Sequence, residues 1–220
     1  MKNYKNSFKL LKYDFQLKVT IIAVIFFLVM AVGYSVGTAH GADMVGAYYW
    51  GPFMGIFPLQ SLYNVLYAKY VVSSPKYREY IVKGTMFLHG TFMMFMYLIC
   101  IVLYYYLSRT YNFQFDVKTA VFSFLAVDLG LAIYIQVYYR NMILGIVAMI
   151  PALYVMFLSN NPNSKILKFI NNINLGDIEI LIVGAVGVLV CEAILYWVAL
   201  LLYKIPFSDS VMKRMLSKVR

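Results

Sequence analysis

The chain has 220 residues, 63% of them hydrophobic, and its 19 Lys and Arg against nine Asp and Glu give a net charge of +10. No polar stretch is longer than about 20 residues, so a separate aqueous domain with its own core is excluded. The basic residues are spread over short segments between apolar runs, and this favours anionic lipid headgroups over nucleic acid as their partner.

Six apolar stretches divide the chain. Each has at least 21 residues, and a helix of about 20 residues crosses a hydrocarbon core about 30 Å thick. The predicted spans are Val19–Ala39, Met44–Ala68, Gly84–Ser108, Thr119–Tyr139, Asn141–Ser164 and Ile180–Tyr203. The sequence therefore predicts an all-α polytopic membrane protein whose residues 19–203 form one six-span transmembrane domain.

The basic residues also predict an orientation. On one side of the predicted membrane lie 15 of the 19 Lys and Arg, and the other side has only Arg109, Lys118, Lys165 and Lys168. By the positive-inside rule, both termini face the cytoplasm in a multi-pass protein of the cell membrane. The first apolar run has no small-residue cleavage pattern after it, so we interpret it as a retained span.

The two terminal segments flank this domain. Residues 1–18 are predicted to form an amphipathic interfacial helix, because apolar residues recur at helical spacing while lysines follow the same period on another face. The apolar positions are Tyr4, Phe8, Leu11 and Phe15. The alternative is a charged leader that only sets topology. Residues 204–220 form a basic cytoplasmic tail.

The inner link between spans two and three begins a short helix of mixed charge. Ser74 is a good N-cap and Pro75 suits the first helical position, where no N–H partner is needed. The segment comprises Ser73, Ser74, Pro75, Lys76, Tyr77, Arg78 and Glu79. Adhesion to lipid needs only positive charge, so Glu79 favours a protein partner; a solvated turn is the alternative.

Two further links have clear patterns. Between spans five and six, the apolar positions Ile166, Leu167, Phe169, Ile170 and Ile173 predict a short amphipathic helix that ends before Gly176. Between spans four and five there is only a tight turn around Arg140, which predicts antiparallel neighbouring helices.

Asp128 and Glu192 are the acids at mid-membrane depth in the predicted spans. An ionised carboxylate facing lipid is costly, so each is expected to face protein or a water-filled cavity. Gln136 follows Asp128 on the same helical face. Two interpretations remain open: a substrate path that attracts a cation or carries a proton, and a protonated acid bonded to a neighbouring helix. Gly184 and Gly187 predict close helix contact on span six.

Enzyme chemistry is not indicated. His40 and His89 fall in opposite halves of the predicted bilayer, which excludes a shared metal or catalytic site. The chain has no G-x-x-x-x-G-K-[ST] loop to cradle phosphates, so we expect it neither to hydrolyse ATP nor to bind a cofactor of its own. We therefore predict no catalytic residue and no metal site.

The layout resembles the type-2 family of ABC exporter permeases. The resemblance rests on the basic interfacial helix, the six spans, the segment Ser-Ser-Pro-Lys-Tyr-Arg-Glu-Tyr before span three and the helical outer segment before span six. Its small-subunit branch includes permeases for bacterial amphipathic peptides. The resemblance implies that Ser73–Glu79 is the coupling helix for a cytoplasmic ATPase, and that Asn163–Gly176, with Ile166, Phe169 and Ile170, is the external gate.

The same resemblance implies the partners and the cargo. A separate ABC ATPase subunit would bind ATP and Mg²⁺, and a second permease, identical or related, would complete the pathway. The cargo would be an amphipathic peptide or a hydrophobic compound. Three other classes remain open: a proton-coupled secondary transporter, a membrane immunity protein and an intramembrane enzyme.

Overall fold

In the computed structural model, the described residues are 9, 18, 20–26, 29, 47–66, 77–112, 115–159 and 164–205. Within them, the regular secondary structure is helical throughout. The helices are α1 (Ala47–Leu66), α2 (Tyr77–Thr110), α3 (Val117–Tyr138), α4 (Met142–Ser159), α5 (Lys165–Asn171) and α6 (Asp177–Tyr203).

Several predicted features lie outside the described residues. They are the apolar positions Tyr4, Phe8, Leu11 and Phe15 of the N-terminal helix, the positions Ser73, Ser74, Pro75 and Lys76, the residue His40 and most of the basic tail. The predictions made for them stay predictions.

Three helices of the described part, α2, α3 and α6, are long and apolar enough to cross a membrane. They have 34, 22 and 27 residues. In α4, the stretch Met142–Pro151 is a shorter apolar helix. The all-helical class is thus confirmed, with three candidate membrane-spanning helices; the six-span layout stays a prediction.

Side chains at the helix starts explain where these helices begin. Asp116 Oδ1 accepts a hydrogen bond from the Thr119 N–H at 3.1 Å, and Ser164 Oγ accepts one from the Leu167 N–H at 3.0 Å. At the start of α6, Glu179 Oε2 accepts one from the Gly176 N–H at 2.9 Å. Each bond satisfies a backbone donor that has no partner within its own helix.

A tight turn at Arg140 joins α3 to α4, which pack against each other along their length. Asn141 Oδ1 accepts hydrogen bonds from the N–H groups of Ile143 and Leu144, at 3.1 and 3.2 Å, and so caps α4. The predicted antiparallel pair is confirmed.

Two π-helical segments interrupt α2. They are Tyr80–Gly84 and Leu98–Leu103, and the α-helical stretch Thr85–Tyr97 lies between them. Each π segment adds a residue to the turn and therefore rotates the following side chains to a new face; such segments are frequent at functional sites. His89 lies on the stretch that these two segments orient.

The buried core has two large apolar layers. The first contains Leu62, Leu88 and Ile135, and the second contains Met96, Phe124 and Val188. In α2, α3 and α6 alike, one buried charged or titratable polar side chain occupies the stretch between the two layers. These residues are His89, Asp128 and Glu192, and all three are buried.

Candidate functional site

His89, Asp128 and Glu192 come from three different helices and meet in the interior of the bundle. His89 Nδ1 lies 2.6 Å from Glu192 Oε1, a short hydrogen bond. His89 Nε2 lies 3.4 Å from Asp128 Oδ1. The imidazole therefore stands between two carboxyl groups, and we call these three residues the buried triad.

The buried triad is shielded from solvent. His89 is 2% exposed, Asp128 1% and Glu192 3%. Asp128 lies ten residues before Tyr138 and eleven after Val117, which puts it about 15 Å from either end of α3. A membrane crossed by α3 would hold the triad near its centre.

The two carboxyl groups of the triad differ in their hydrogen bonding. Within the described part of the chain, both Asp128 oxygens and Glu192 Oε2 are buried without a hydrogen-bond partner. The 3.4 Å contact between His89 and Asp128 is an ion-pair distance but lacks hydrogen-bond geometry. A buried acceptor without a donor costs about 1–3 kcal/mol, and more when it is charged. Asp128 is therefore the carboxyl group of the triad that lacks a hydrogen-bond donor on both of its oxygens.

Close helix packing holds the triad in place. A Cβ placed on Gly90 would stand 2.8 Å from Glu192 Cγ, so only glycine leaves room for that side chain. A Cβ on Gly184 would collide with the Tyr97 ring, whose hydroxyl donates a hydrogen bond to the Leu181 carbonyl at 2.7 Å. The close contact predicted for the glycines of span six is confirmed.

Gln136 is buried on the same helix as Asp128, as its spacing suggests. Its Nε2 donates to the Leu195 carbonyl at 3.4 Å, and its Oε1 has no partner among the described residues. The structure thus assigns Gln136 a contact between α3 and α6. Its position on a substrate path stays a prediction.

The three described residues of the predicted coupling segment, Tyr77, Arg78 and Glu79, form the first turn of α2. Tyr77 is buried and its ring lies 6.4 Å from that of Tyr203 at the end of α6. The Arg78 guanidinium lies over the same Tyr203 ring at 5.5 Å, and Arg140 lies over it at 5.8 Å. The ends of α2, α3 and α6 therefore meet around Tyr203.

The predicted outer segment forms α5, so its helical prediction is confirmed. Ile170 is 3% exposed and packs inward, whereas Phe169 is 69% exposed; Ile166 lies between these extremes at 36%. Lys118 Nζ donates to the Ile173 carbonyl, and Arg109 pairs with Asp177. The first bond ties the segment to α3 and the second ties the start of α6 to α2, both at the end opposite Tyr203.

Sequence reasoning missed the role of His89. From the predicted start of span three at Gly84, His89 appears only five residues deep. From Tyr77, the first described residue of α2, it is twelve residues deep, close to the eleven that separate Glu192 from Tyr203. Matching depths on three spans is the signal that could have found the triad.

The described part of the chain has no cluster of three His, Cys, Asp or Glu side chains arranged to hold a metal ion. The triad is instead a set of proton donors and acceptors in contact. Comparison of the chain with protein-family models, curated proteins and solved structures found no match.

Proposed function

We propose that the chain is the transmembrane permease subunit of an ABC exporter, powered by a separate ATPase and completed by a second permease. In this proposal the domain has six spans with both termini in the cytoplasm, and an N-terminal helix rests on the inner surface. ATP and Mg²⁺ bind to the partner ATPase. The cargo is an amphipathic peptide or a hydrophobic compound.

The observation that carries the proposal is the continuity of α2. Its 34 residues make it about 51 Å long, whereas the hydrocarbon core is about 30 Å thick. The helix therefore extends beyond the core. Arg78, Glu79 and Lys83 place charges of both signs on its first turns, where a cytoplasmic partner can reach them.

The packing around Tyr203 provides a route from that partner into the membrane domain. Arg78 and Arg140 share the Tyr203 ring, so a displacement of Arg78 acts on the ends of α2, α3 and α6 together. Glu79 lies ten residues before His89 on the same helix, about 15 Å along its axis. Movement at the ATPase contact would thus reach the buried triad along one continuous helix.

The test is reversal of charge at the proposed contact. Glu79→Arg places a positive charge against any cation of the ATPase groove. The Lys76→Glu, Arg78→Glu double variant places negative charges against any anion of that groove. We expect normal membrane insertion but loss of ATPase copurification and of cargo-stimulated turnover in nanodiscs. Lys168→Glu, a reversal on the exposed face of α5 at the end of the bundle opposite Tyr203, is the matched control for ATPase copurification. If both contact variants retain the ATPase and turn over normally, the proposal is wrong.

A proton-coupled secondary transporter is the second candidate, and the buried triad is the observation that favours it. Titratable groups in contact at mid-membrane depth are typical of proton relays in transporters. The two candidates differ in energy source. Export that persists without ATP and stops when the proton gradient is dissipated would favour the second.

A further inference from the structure

We propose that the buried triad is a proton-binding site, in which a proton held between Asp128 and His89 clamps α2 to α3. The inference goes beyond the proposed function, because it requires neither an ATPase nor a cargo. It rests on the distances around His89, on the burial of all three groups and on the unpartnered oxygens of Asp128.

The bond between His89 and Glu192 fixes the state of one imidazole nitrogen. In the proposed site, Nδ1 donates its hydrogen to Glu192 Oε1 across the 2.6 Å contact, since a carboxylate is the stronger acceptor and such charge-assisted bonds are short. Nε2 then faces Asp128 Oδ1 across a gap of 3.4 Å. With no proton in that gap, the lone pairs of the nitrogen and the oxygen face and repel each other.

A proton resolves this conflict. It forms an O–H bond on Asp128 that donates to Nε2 of the neutral imidazole. This is a hydrogen bond, for which the distance between heavy atoms is about 2.7–3.0 Å. Binding the proton therefore draws the two helices together across the gap.

Burial of the triad also favours binding of a proton. With a neutral imidazole and both acids ionised, the triad has a net charge of −2, and each bound proton lowers its magnitude by one. Reducing the net charge of a desolvated group avoids much of its burial cost. Release breaks the O–H bond, leaves the electron pair on the Asp128 carboxylate oxygen and gives the proton to water.

The surroundings add few competing charges. Cys191 is a further titratable side chain beside the two acids, and its thiol contacts the Leu125 carbonyl at 3.9 Å. In α1, the sequence from Ala47 to Leu66 has no acidic, basic or histidine residue. We therefore attribute proton binding between the two apolar layers to the three residues of the triad.

The first measurement is infrared difference spectroscopy of the full chain in nanodiscs of neutral lipid, between mildly acidic and mildly alkaline buffer. We expect a carbonyl band of a protonated, water-shielded carboxylic acid that disappears at alkaline pH. The band should shift when aspartate is labelled with ¹³C, and it should be lost in Asp128→Asn. Ser123→Ala, which removes another buried polar group from α3, should retain it.

The second measurement is thermal unfolding against pH. A proton bound more tightly in the folded protein stabilises it at low pH, and that stability is lost as pH rises. We expect the wild-type midpoint to fall by about 4 °C for each unit of pH over the transition. Asp128→Asn should abolish this dependence, because an amide N–H can donate to Nε2 at every pH.

The outcomes are distinct. A labelled aspartate band together with a pH-dependent midpoint that Asp128→Asn flattens supports the clamp. An unchanged pH dependence in Asp128→Asn overturns it. If that variant fails to fold, the wild-type spectrum still decides, because absence of a ¹³C-aspartate-sensitive band overturns the proposal. Failure of ATPase association in the Glu79 experiment leaves these results untouched.

Discussion

Gly90 lies directly against Glu192. A Cβ on Gly90 would stand 2.8 Å from Glu192 Cγ and 3.0 Å from its Cδ, and the carboxyl group beyond them is hydrogen-bonded to His89 at 2.6 Å. The absence of a side chain at Gly90 is thus what allows α6 to present its acid to α2.

Gly90→Ala should displace Glu192 and break its bond to His89. The lost bond leaves a buried acceptor without a donor, which costs about 1–3 kcal/mol, while alanine recovers about 1 kcal/mol of helix propensity. We expect a lower thermal unfolding midpoint in detergent. Gly176→Ala is the control, because its Cβ would be in ordinary contact at 3.8 Å. A midpoint for Gly90→Ala equal to that of the wild type would contradict this packing.

Truncating the side chains of two neighbouring residues of α5 should have different effects on stability. Ile170 is 3% exposed, so Ile170→Ala leaves a cavity and should lower the free energy of unfolding by about 2–4 kcal/mol. Phe169 is 69% exposed, and Phe169→Ala should change the free energy of unfolding by less than about 0.5 kcal/mol. If α5 is the external gate, Phe169→Ala should still alter export. Equal destabilisation by the two changes would mean that α5 is oriented differently.

The local elements proved easier to predict than the contacts between them. Apolar spacing in residues 166–170 predicted α5, and the single short turn at Arg140 predicted the α3–α4 pair, because both depend on neighbouring residues alone. Asp128 and Glu192 were expected to face protein because lipid exposure is costly. Their common partner was missed because the depth of His89 depends on where α2 begins. The π segments depend on packing between helices and give no periodic signal.

Tyr203 should contribute to stability through its ring. The guanidinium groups of Arg78 and Arg140 lie 5.5 and 5.8 Å from the ring centroid, and each such contact is worth about 0.5–2 kcal/mol. Tyr203→Leu should therefore lower the free energy of unfolding by about 1–3 kcal/mol, since it removes the aromatic face. Tyr203→Phe keeps that face and is the matched control. Leucine and phenylalanine variants of equal stability would show that the two arginines are held by other contacts.

The two ends of α6 should lie on opposite sides of the membrane. Asn172 precedes the helix, Lys204 follows it, and both are exposed. The 27 residues of α6 span about 40 Å, more than the hydrocarbon core. We expect Asn172→Cys to react with an impermeant thiol reagent in intact cells and Lys204→Cys to react only after the membrane is opened. Cys100 and Cys191 are buried, and replacing both with alanine gives the background for these variants. In the predicted layout, 15 of the 19 basic residues lie on the Lys204 side, which should be the cytoplasmic side. Labelling of Lys204→Cys from outside would show that the orientation is the opposite one. Arg78 and Glu79 would then not face the cytoplasm.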